Sequence, residues 1–362
     1  MNQKAQLIPK ILQYKLFRAT GYPKILPISL TVSVTYHCNS RCKTCNVWKK
    51  KVNEFSVDEF DKTFSSLGYS PFMFVMSGGE PFLRQDLTEI CRSAYLRCKP
   101  SIITIPTNGL LYNKIPEMVS EIAKACPDTQ IVVNLSIDGI EGKHDEIRGI
   151  VGNFEKSMKT YEGIKALDIA NLEFGIHTVI SKFNIKEIAN IYKYFLDLNN
   201  DKSIKYITEI AEERVELDTI GRNITPAYED YSGAVDFLSS ELKKEKFSGI
   251  SKLTQGLRLE YYQLVKNTLL EKKQIIPCYA GFASAHISPD GDVWQCCIKA
   301  DPLGNLRDVG YDFSKIWFSE KAELARKSAK EGKCYCPMAN ASYTNMLCDL
   351  STSIKVGVKQ VI

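Results

Sequence analysis

No run of about 18 uncharged apolar residues occurs anywhere in the 362-residue chain, so no transmembrane helix is expected. The opening stretch, MNQKAQLIPKILQYKLFR, has neither an unbroken apolar run nor a small-residue cleavage site. No secretory signal is therefore read there, and a cytoplasmic location is expected. Histidine is scarce, and the four present, His37, His144, His177 and His286, show no metal-ligand spacing. There is no P-loop, no dinucleotide fingerprint, no Ser–His–Asp arrangement, no internal repeat and no low-complexity segment. Acid is missing from the first 53 residues: ten basic residues precede Glu54, so the remainder holds 37 basic against 42 acidic residues, −5, within a chain of net +5. That polarity favours an anionic partner for the N-terminal region. No recognition motif or stacking pattern accompanies it, so nucleic acid is not expected.

The chain is 44% hydrophobic and 25% charged, as in globular proteins with ample core. At about 150 residues per domain, its length suggests one large domain plus an appendage. Its twelve cysteines fall well below the roughly 8–10% of a disulfide-built scaffold. They are also clustered: Cys38, Cys42 and Cys45; Cys278; Cys296 with Cys297; Cys334, Cys336 and Cys348. Clustered thiols in a chain without an export signal point to metal rather than disulfides. Cys91, Cys98 and Cys126 lie in helix-like segments and read as small core residues.

Residues 29–36, SLTVSVTY, alternate and are β-branched, predicting a strand that ends just before Cys38. Ser56 with Glu59 forms the signature of a capping box at the start of a helix. Strand-like runs at 71–77, 101–107, 131–138, 172–180 and 204–210 then alternate with amphipathic stretches near 85–97, 113–125, 143–168 and 185–198. Such alternation implies right-handed βαβ units and a parallel sheet. The expected fold class is α/β: six units over residues 29–245 make a partial (β/α)6 TIM-like barrel, two units short of a full one. Residues 1–28 form a basic amphipathic segment, and 246–362 a small cysteine-rich α+β end. The end contains one clear hairpin, AHISPDGDVWQCC, turning at Asp290-Gly291. A helix is predicted over 314–331 with Trp317 and Leu324 on one face.

Barrels of this kind keep their chemistry at the C-terminal ends of the strands. The polar and glycine-rich words fall there: Cys38–Cys45, Ser77-Gly78-Gly79-Glu80-Pro81, Thr107-Asn108-Gly109, Ser136-Ile137-Asp138-Gly139, and Glu209 with Glu212 and Glu213. The C-x3-C-x2-C spacing offers three thiolates, which suit a four-iron cluster with one iron left open. Zinc, which normally takes four protein ligands in structural sites, and unligated thiols are the alternatives.

Cys38-x3-Cys42-x2-Cys45 after the first strand, with Gly78-Gly79-Glu80-Pro81 after the second, resembles the radical S-adenosylmethionine superfamily over about residues 29–245. The resemblance implies a 4Fe–4S cluster on these three cysteines whose open iron chelates S-adenosylmethionine. Reductive cleavage would yield a 5′-deoxyadenosyl radical that abstracts a substrate hydrogen, with flavodoxin or ferredoxin as reductant. It further implies that Gly78, Gly79 and Glu80 face the methionine amino group. Ser136 and Arg148 would contact ribose and carboxylate, with Asn108 in the same pocket. For Arg148 the competing reading is a helix-surface ion pair with Asp145. Where the family carries an aromatic residue before the third cysteine this chain has Thr44, and Trp48 or Tyr36 is the candidate to replace it.

Cys278, Cys296 at the end of Gly291-x4-Cys296, Cys334 and Cys336 resemble the auxiliary-cluster domain called SPASM, or its shortened form, twitch. Six cysteines cannot supply eight thiolates, so one auxiliary 4Fe–4S cluster on these four is expected, with zinc as the alternative. Cys297 and Cys348 remain rivals, although neighbouring strand residues point to opposite faces and only one of Cys296 and Cys297 should face the cluster. A fully thiolate-ligated cluster has no open iron and would relay electrons. The expected reaction is therefore a net oxidation or rearrangement of a small or lipid- or sugar-linked molecule, with Glu209 as the residue that binds the substrate or accepts its proton. Maturation of a ribosomal peptide is the alternative, and a non-catalytic iron–sulfur carrier or scaffold is a second. Leu7, Ile8, Ile11, Leu12 and Leu16, interspersed with Lys4, Lys10, Lys15 and Arg18, predict a helix that either packs on the barrel or lies on an anionic membrane.

Overall fold

Ser56 starts the first barrel helix as its sequence requires: its Oγ accepts from Glu59 N–H, and the Glu59 carboxylate accepts from Ser56 N–H at 2.9 Å. The computed structural model describes residues 7–198, 204–244, 249–349, 351–352 and 355–356. An N-terminal helix α1 (Leu7–Thr20) leads into β1 (Ser29–Thr35), α2 (Val57–Leu67), β2 (Met73–Gly78), α3 (Leu87–Cys98), β3 (Ile102–Thr107), α4 (Ile115–Ala125) and β4 (Gln130–Ser136). Next come α5 (Glu141–Arg148), α6 (Asn153–Lys165), β5 (Leu172–Ile180), α7 (Ile188–Leu198), β6 (Lys205–Ile210), α8 (Tyr228–Lys244) and α9 (Gly249–Glu271). The chain finishes with β7 (Ser284–Ile287), β8 (Asp292–Trp294), β9 (Pro302–Asn305), α10 (Phe313–Trp317), α11 (Glu320–Lys330) and α12 (Ala339–Cys348).

All six predicted strands form, within a residue or two of their expected ends, and β1 to β6 are parallel in sequence order. The hairpin extends the same sheet: β7 pairs in parallel with β1 from Ser29↔Ser284 to Val32↔Ile287, and β8 and β9 continue antiparallel beyond it. The strands obey the period of two. Leu30, Val32 and Val34 on β1, like Ile103 and Ile105 on β3, are fully buried in the core between sheet and helices. Residues of the other parity, among them Val75, Ser77, Thr104, Asn134, Ser136, His177 and Glu209, line a cavity of about 590 Å³ inside the barrel. Apolar side chains below thus give way to polar ones at the C-terminal rim.

Two predicted helices are interrupted. The stretch 143–168 is two helices, α5 and α6, because Gly149 turns to φ +70° and Asp145 accepts from Gly152 N–H and Phe154 N–H instead of facing solvent. A Cβ at Gly149 would lie 2.3 Å from the Arg41 carbonyl oxygen, so the break is what lets the end of α5 meet the cysteine loop. The stretch 314–331 breaks at Ser319, which caps α11. Trp317 is fully buried while Leu324 is 62% exposed, so the expected common face does not exist. α1 packs through Tyr14 and Phe17, the latter edge-on to Phe282. Leu12 and Leu16 point outward, more than half exposed; Lys4 lies outside the described residues.

Candidate active site and cysteine clusters

β1 delivers the chain to the rim, and the loop that follows carries Cys38, Cys42 and Cys45 around one end of the barrel cavity. α5 fixes the loop's shape: Arg41 N–H and Lys43 N–H donate to the carbonyls of Arg148 and Ile147 at 2.9 and 2.8 Å, and Ser40 Oγ donates to Arg148 O at 3.0 Å. Every sulfur receives a donor. Ser40 N–H points at Cys38 Sγ and Val47 N–H at Cys45 Sγ, both at 3.4 Å, and Arg148 Nη1 lies 3.7 Å from Cys42 Sγ. Burial pushes the Cys38 thiol up to about 11 and the Cys45 thiol up to about 12. Coordination to a metal would reverse this, because a coordinating thiol is deprotonated. Three sulfurs opening on one cavity, each already served by a donor, fit an iron–sulfur cluster with one iron facing the cavity.

The second strand end is built around close backbone contact. Gly79 N–H donates to Thr35 O at 2.7 Å and Glu80 N–H to His37 O at 2.8 Å. A Cβ on either Gly78 or Gly79 would sit 2.1 Å from a β1-side carbonyl oxygen, so only glycine fits. The Glu80 carboxylate, 1% exposed, accepts from Asn108 N–H at 2.7 Å and Thr107 Oγ1 at 2.8 Å. Burial still outweighs these bonds and raises its pKa to about 7. Asn108 Nδ2 donates to Asn39 Oδ1 and approaches Cys38 Sγ at 3.9 Å, linking this carboxylate to the cysteine loop.

Ser136, at the end of β4, lines the same cavity. Arg148 pairs with Asp138, not with Asp145: Nε lies 2.8 Å from Asp138 Oδ2, a close charge pair off the straight hydrogen-bond line. Asp138 also accepts from Val179 N–H, and its own N–H donates to Nδ1 of buried His144, which burial keeps neutral by lowering its pKa to about 4. Glu209 stands on β6 with His177 Nε2 3.9 Å away, both largely buried and both on the cavity wall. Glu212 also faces the cavity, its pKa raised to about 7 by burial, whereas Glu213 turns to accept from Gly221 N–H. Thr44 lines the cavity; Trp48 stacks under Arg41 instead, and Tyr36 packs with Val47 and Trp294.

Cys278, Cys296, Cys334 and Cys336 line a separate small pocket, with no carboxylate or imidazole on its wall. The set is thiolate-only, the donor chemistry of an iron–sulfur or zinc centre. Arg18 of α1 donates to the Cys278 carbonyl at 3.0 Å and Gln274 to that of Cys334 at 2.9 Å, tying α1 to the Cys278 segment and that segment's approach to the Cys334–Cys336 stretch. Cys348 is apart from them, buried beside Tyr14 and Tyr279. Cys296 and its neighbour Cys297 lie in the turn after β8 rather than on the expected strand, and Cys297 does not line the pocket. It joins a buried group that sequence spacing could not reveal: the ligand atoms of Cys297, His286 and Glu216 lie within 4.8 Å of one another. His286 Nε2 lies 3.1 Å from Glu216 Oε1 and 2.8 Å from Ser33 Oγ, and Arg214 Nη1 is 3.9 Å from Cys297 Sγ. Among the described residues no helix is long and apolar enough to cross a membrane.

Residues 32–195 match the Radical SAM superfamily and residues 278–337 match SPASM, an iron–sulfur cluster-binding domain. The chain is 27% identical over 345 residues to an AdoMet-dependent heme synthase of Methanosarcina barkeri, covering 87% of this chain and 88% of the relative. It is 30% identical over 317 residues to an Fe-coproporphyrin III synthase of the same organism, covering 81% and 74%. The antilisterial bacteriocin subtilosin biosynthesis protein AlbA of Bacillus subtilis is 24% identical over 329 residues, covering 86% and 66%. Among solved structures, anSMEcpe with bound AdoMet and a Cp18Cys peptide shares the fold at TM-score 0.59 and 20% identity, over 84% of this chain and 83% of that one. SuiB of Streptococcus suis bound to its precursor peptide SuiA does so at TM-score 0.60 and 14% identity, over 96% and 77%.

Proposed function

The chain belongs to the radical SAM superfamily and carries a SPASM domain, and from that premise we propose that it oxidises or rearranges a small organic molecule held inside the barrel. It is an enzyme whose cofactors are S-adenosylmethionine and 4Fe–4S clusters. When bound, the first cluster and S-adenosylmethionine supply the radical that removes a substrate hydrogen.

In this reading Cys38, Cys42 and Cys45 hold that cluster. Glu80 and the carbonyls beside Gly78 and Gly79 bind the methionine ammonium, while the N–H groups of Gly79 and Glu80 are bonded to the carbonyls of Thr35 and His37. Ser136 and Arg148 meet the ribose and the carboxylate, with Asp138 holding the guanidinium in place. Asn108 steadies the junction between Glu80 and Cys38. Glu209, next to His177, binds the substrate or takes its proton.

One observation carries the oxidative part: the pocket of Cys278, Cys296, Cys334 and Cys336 shares no wall residue with the barrel cavity. A cluster there cannot touch the substrate and serves as an electron relay, the first electron coming from a reductant such as flavodoxin or ferredoxin. The test is anaerobic reconstitution with S-adenosylmethionine and reductant: 5′-deoxyadenosine is expected, and its absence refutes the reading.

Peptide maturation is the second reading, supported by the likeness to AlbA and by SuiB's complex with a precursor peptide. A peripheral membrane role for α1 draws its support from the outward Leu12 and Leu16. It predicts co-sedimentation with anionic vesicles that the double change L12E/L16E abolishes; sedimentation unaffected by that change removes the idea.

A further inference from the structure

We propose that Arg258, on α9, anchors an anionic group, a carboxylate or a phosphate, at the far end of a substrate bound in the barrel cavity. The proposal deepens the catalytic reading above and rests on it for the identity of the cavity. Arg258 is 7% exposed and lines that cavity. Its Nη1 donates to the Tyr206 carbonyl at 2.8 Å, but its Nε is buried without a partner among the described residues. None of the ion pairs among the described residues includes it.

A guanidinium stays charged inside a protein, and a buried charge without a counter-ion is costly. The other arginines on the cavity are balanced differently. Arg148 has Asp138, and Arg214 shares the field of Glu209, Glu216 and Cys297. Arg258 has phenols beside it, Tyr343 and Tyr262, whose oxygens can accept from a guanidinium but bring no charge. The missing negative charge is therefore expected from the ligand.

Position defines the ligand further. Tyr206 and Glu209 lie three residues apart on β6, which at about 3.3 Å per residue separates them by about 10 Å along the strand. Glu209 is at the rim with the cysteine loop, and Arg258 is deeper. Between them the wall is largely apolar, with Val75, Val132 and Ile207 among its residues. The matching substrate class is an amphiphilic organic anion: charged head at Arg258, apolar body, reacting C–H toward the rim.

The test uses the reconstituted full chain with S-adenosylmethionine bound, measuring its melting temperature at fixed ionic strength with hexanoate, hexyl phosphate or hexanol. A saturable rise with either anion, exceeding that with hexanol, is expected, and the stronger anion identifies carboxylate or phosphate as the head group. Arg258→Met should melt no lower than the parent without ligand and should lose the anion response. Arg258→Gln, which keeps a donor for the Tyr206 carbonyl without charge, should lose it too. An anion response equal in the parent and Arg258→Gln, or none in the parent, overturns the proposal. The 5′-deoxyadenosine assay is read separately: an anion response without cleavage keeps Arg258 as an anion site and refutes the catalytic reading instead.

Discussion

Glu80 is a buried carboxylate with two hydrogen-bond donors within 2.8 Å and no ion-pair partner among the described residues, the arrangement expected of a group waiting for an ammonium. Glu80→Gln should weaken S-adenosylmethionine binding tenfold or more, about 1.4 kcal/mol, at unchanged iron content; unaltered affinity by equilibrium dialysis contradicts the assignment. The His286–Glu216 pair makes a pH prediction. Burial alone would discharge His286, but Glu216 raises its pKa to about 9 from the ordinary 6.5, while the imidazole and Arg214 hold Glu216 down at about 2 against burial. The imidazolium's contribution to stability is complete below pH 6.5 and fades as pH rises through 9; the carboxylate's is present above its ordinary 4.5 and is lost as pH falls through about 2. Denaturation curves should therefore show the parent losing stability between pH 6.5 and 9 more steeply than His286→Gln, and parallel curves refute the pair. This pair also marks where sequence reading ends. The cysteine words were legible because their ligands are neighbours in the chain, although it is the turn after β8, not the expected strand alternation, that separates Cys296 from Cys297. Asp138, Arg214, Glu216 and His286 were not, because distant segments meet there and no spacing records the meeting.

At the scale of elements, the Gly78-Gly79 segment and α1 are the sharpest tests. Gly79→Ala puts a Cβ 2.1 Å from the His37 carbonyl oxygen, a rigid backbone atom. It should destabilise the fold by about 2 kcal/mol or more. Along α1, Phe17→Ala removes a ring 2% exposed and packed on Phe282, whereas Leu12→Ala trims a side chain 53% exposed. The first should cost about 3–5 kcal/mol and the second stay within about 0.5 kcal/mol in chemical denaturation. Equal losses would mean that α1 packs through a different face. The strands were readable almost to the residue because β-branched alternation is a local signal. The break between α5 and α6 was not, since Gly149 interrupts an otherwise amphipathic stretch for the sake of Arg41, a hundred residues earlier. Nor could the sequence reveal that β7 docks on β1, a pairing decided by shape across the whole chain.

For the whole molecule, the account rests on two cysteine sites with separate walls, joined through the Cys296–Cys297 turn and the buried Glu216–His286–Cys297 group. α1 and the sheet edge bind the second site to the barrel: Arg18 holds the Cys278 carbonyl, and Arg307 meets Glu59 of the α2 capping box at 2.6 Å. Loss of one cluster should therefore leave the fold and the other cluster intact. The most direct measurement pairs iron content with 5′-deoxyadenosine formation in three reconstituted proteins. The parent should carry about eight irons and cleave S-adenosylmethionine, Cys278→Ala/Cys334→Ala should carry about four and still cleave it, and Cys42→Ala should not cleave it at all. Cleavage lost equally in the Cys278→Ala/Cys334→Ala protein, or undiminished in Cys42→Ala, would contradict the division of labour between the two sites.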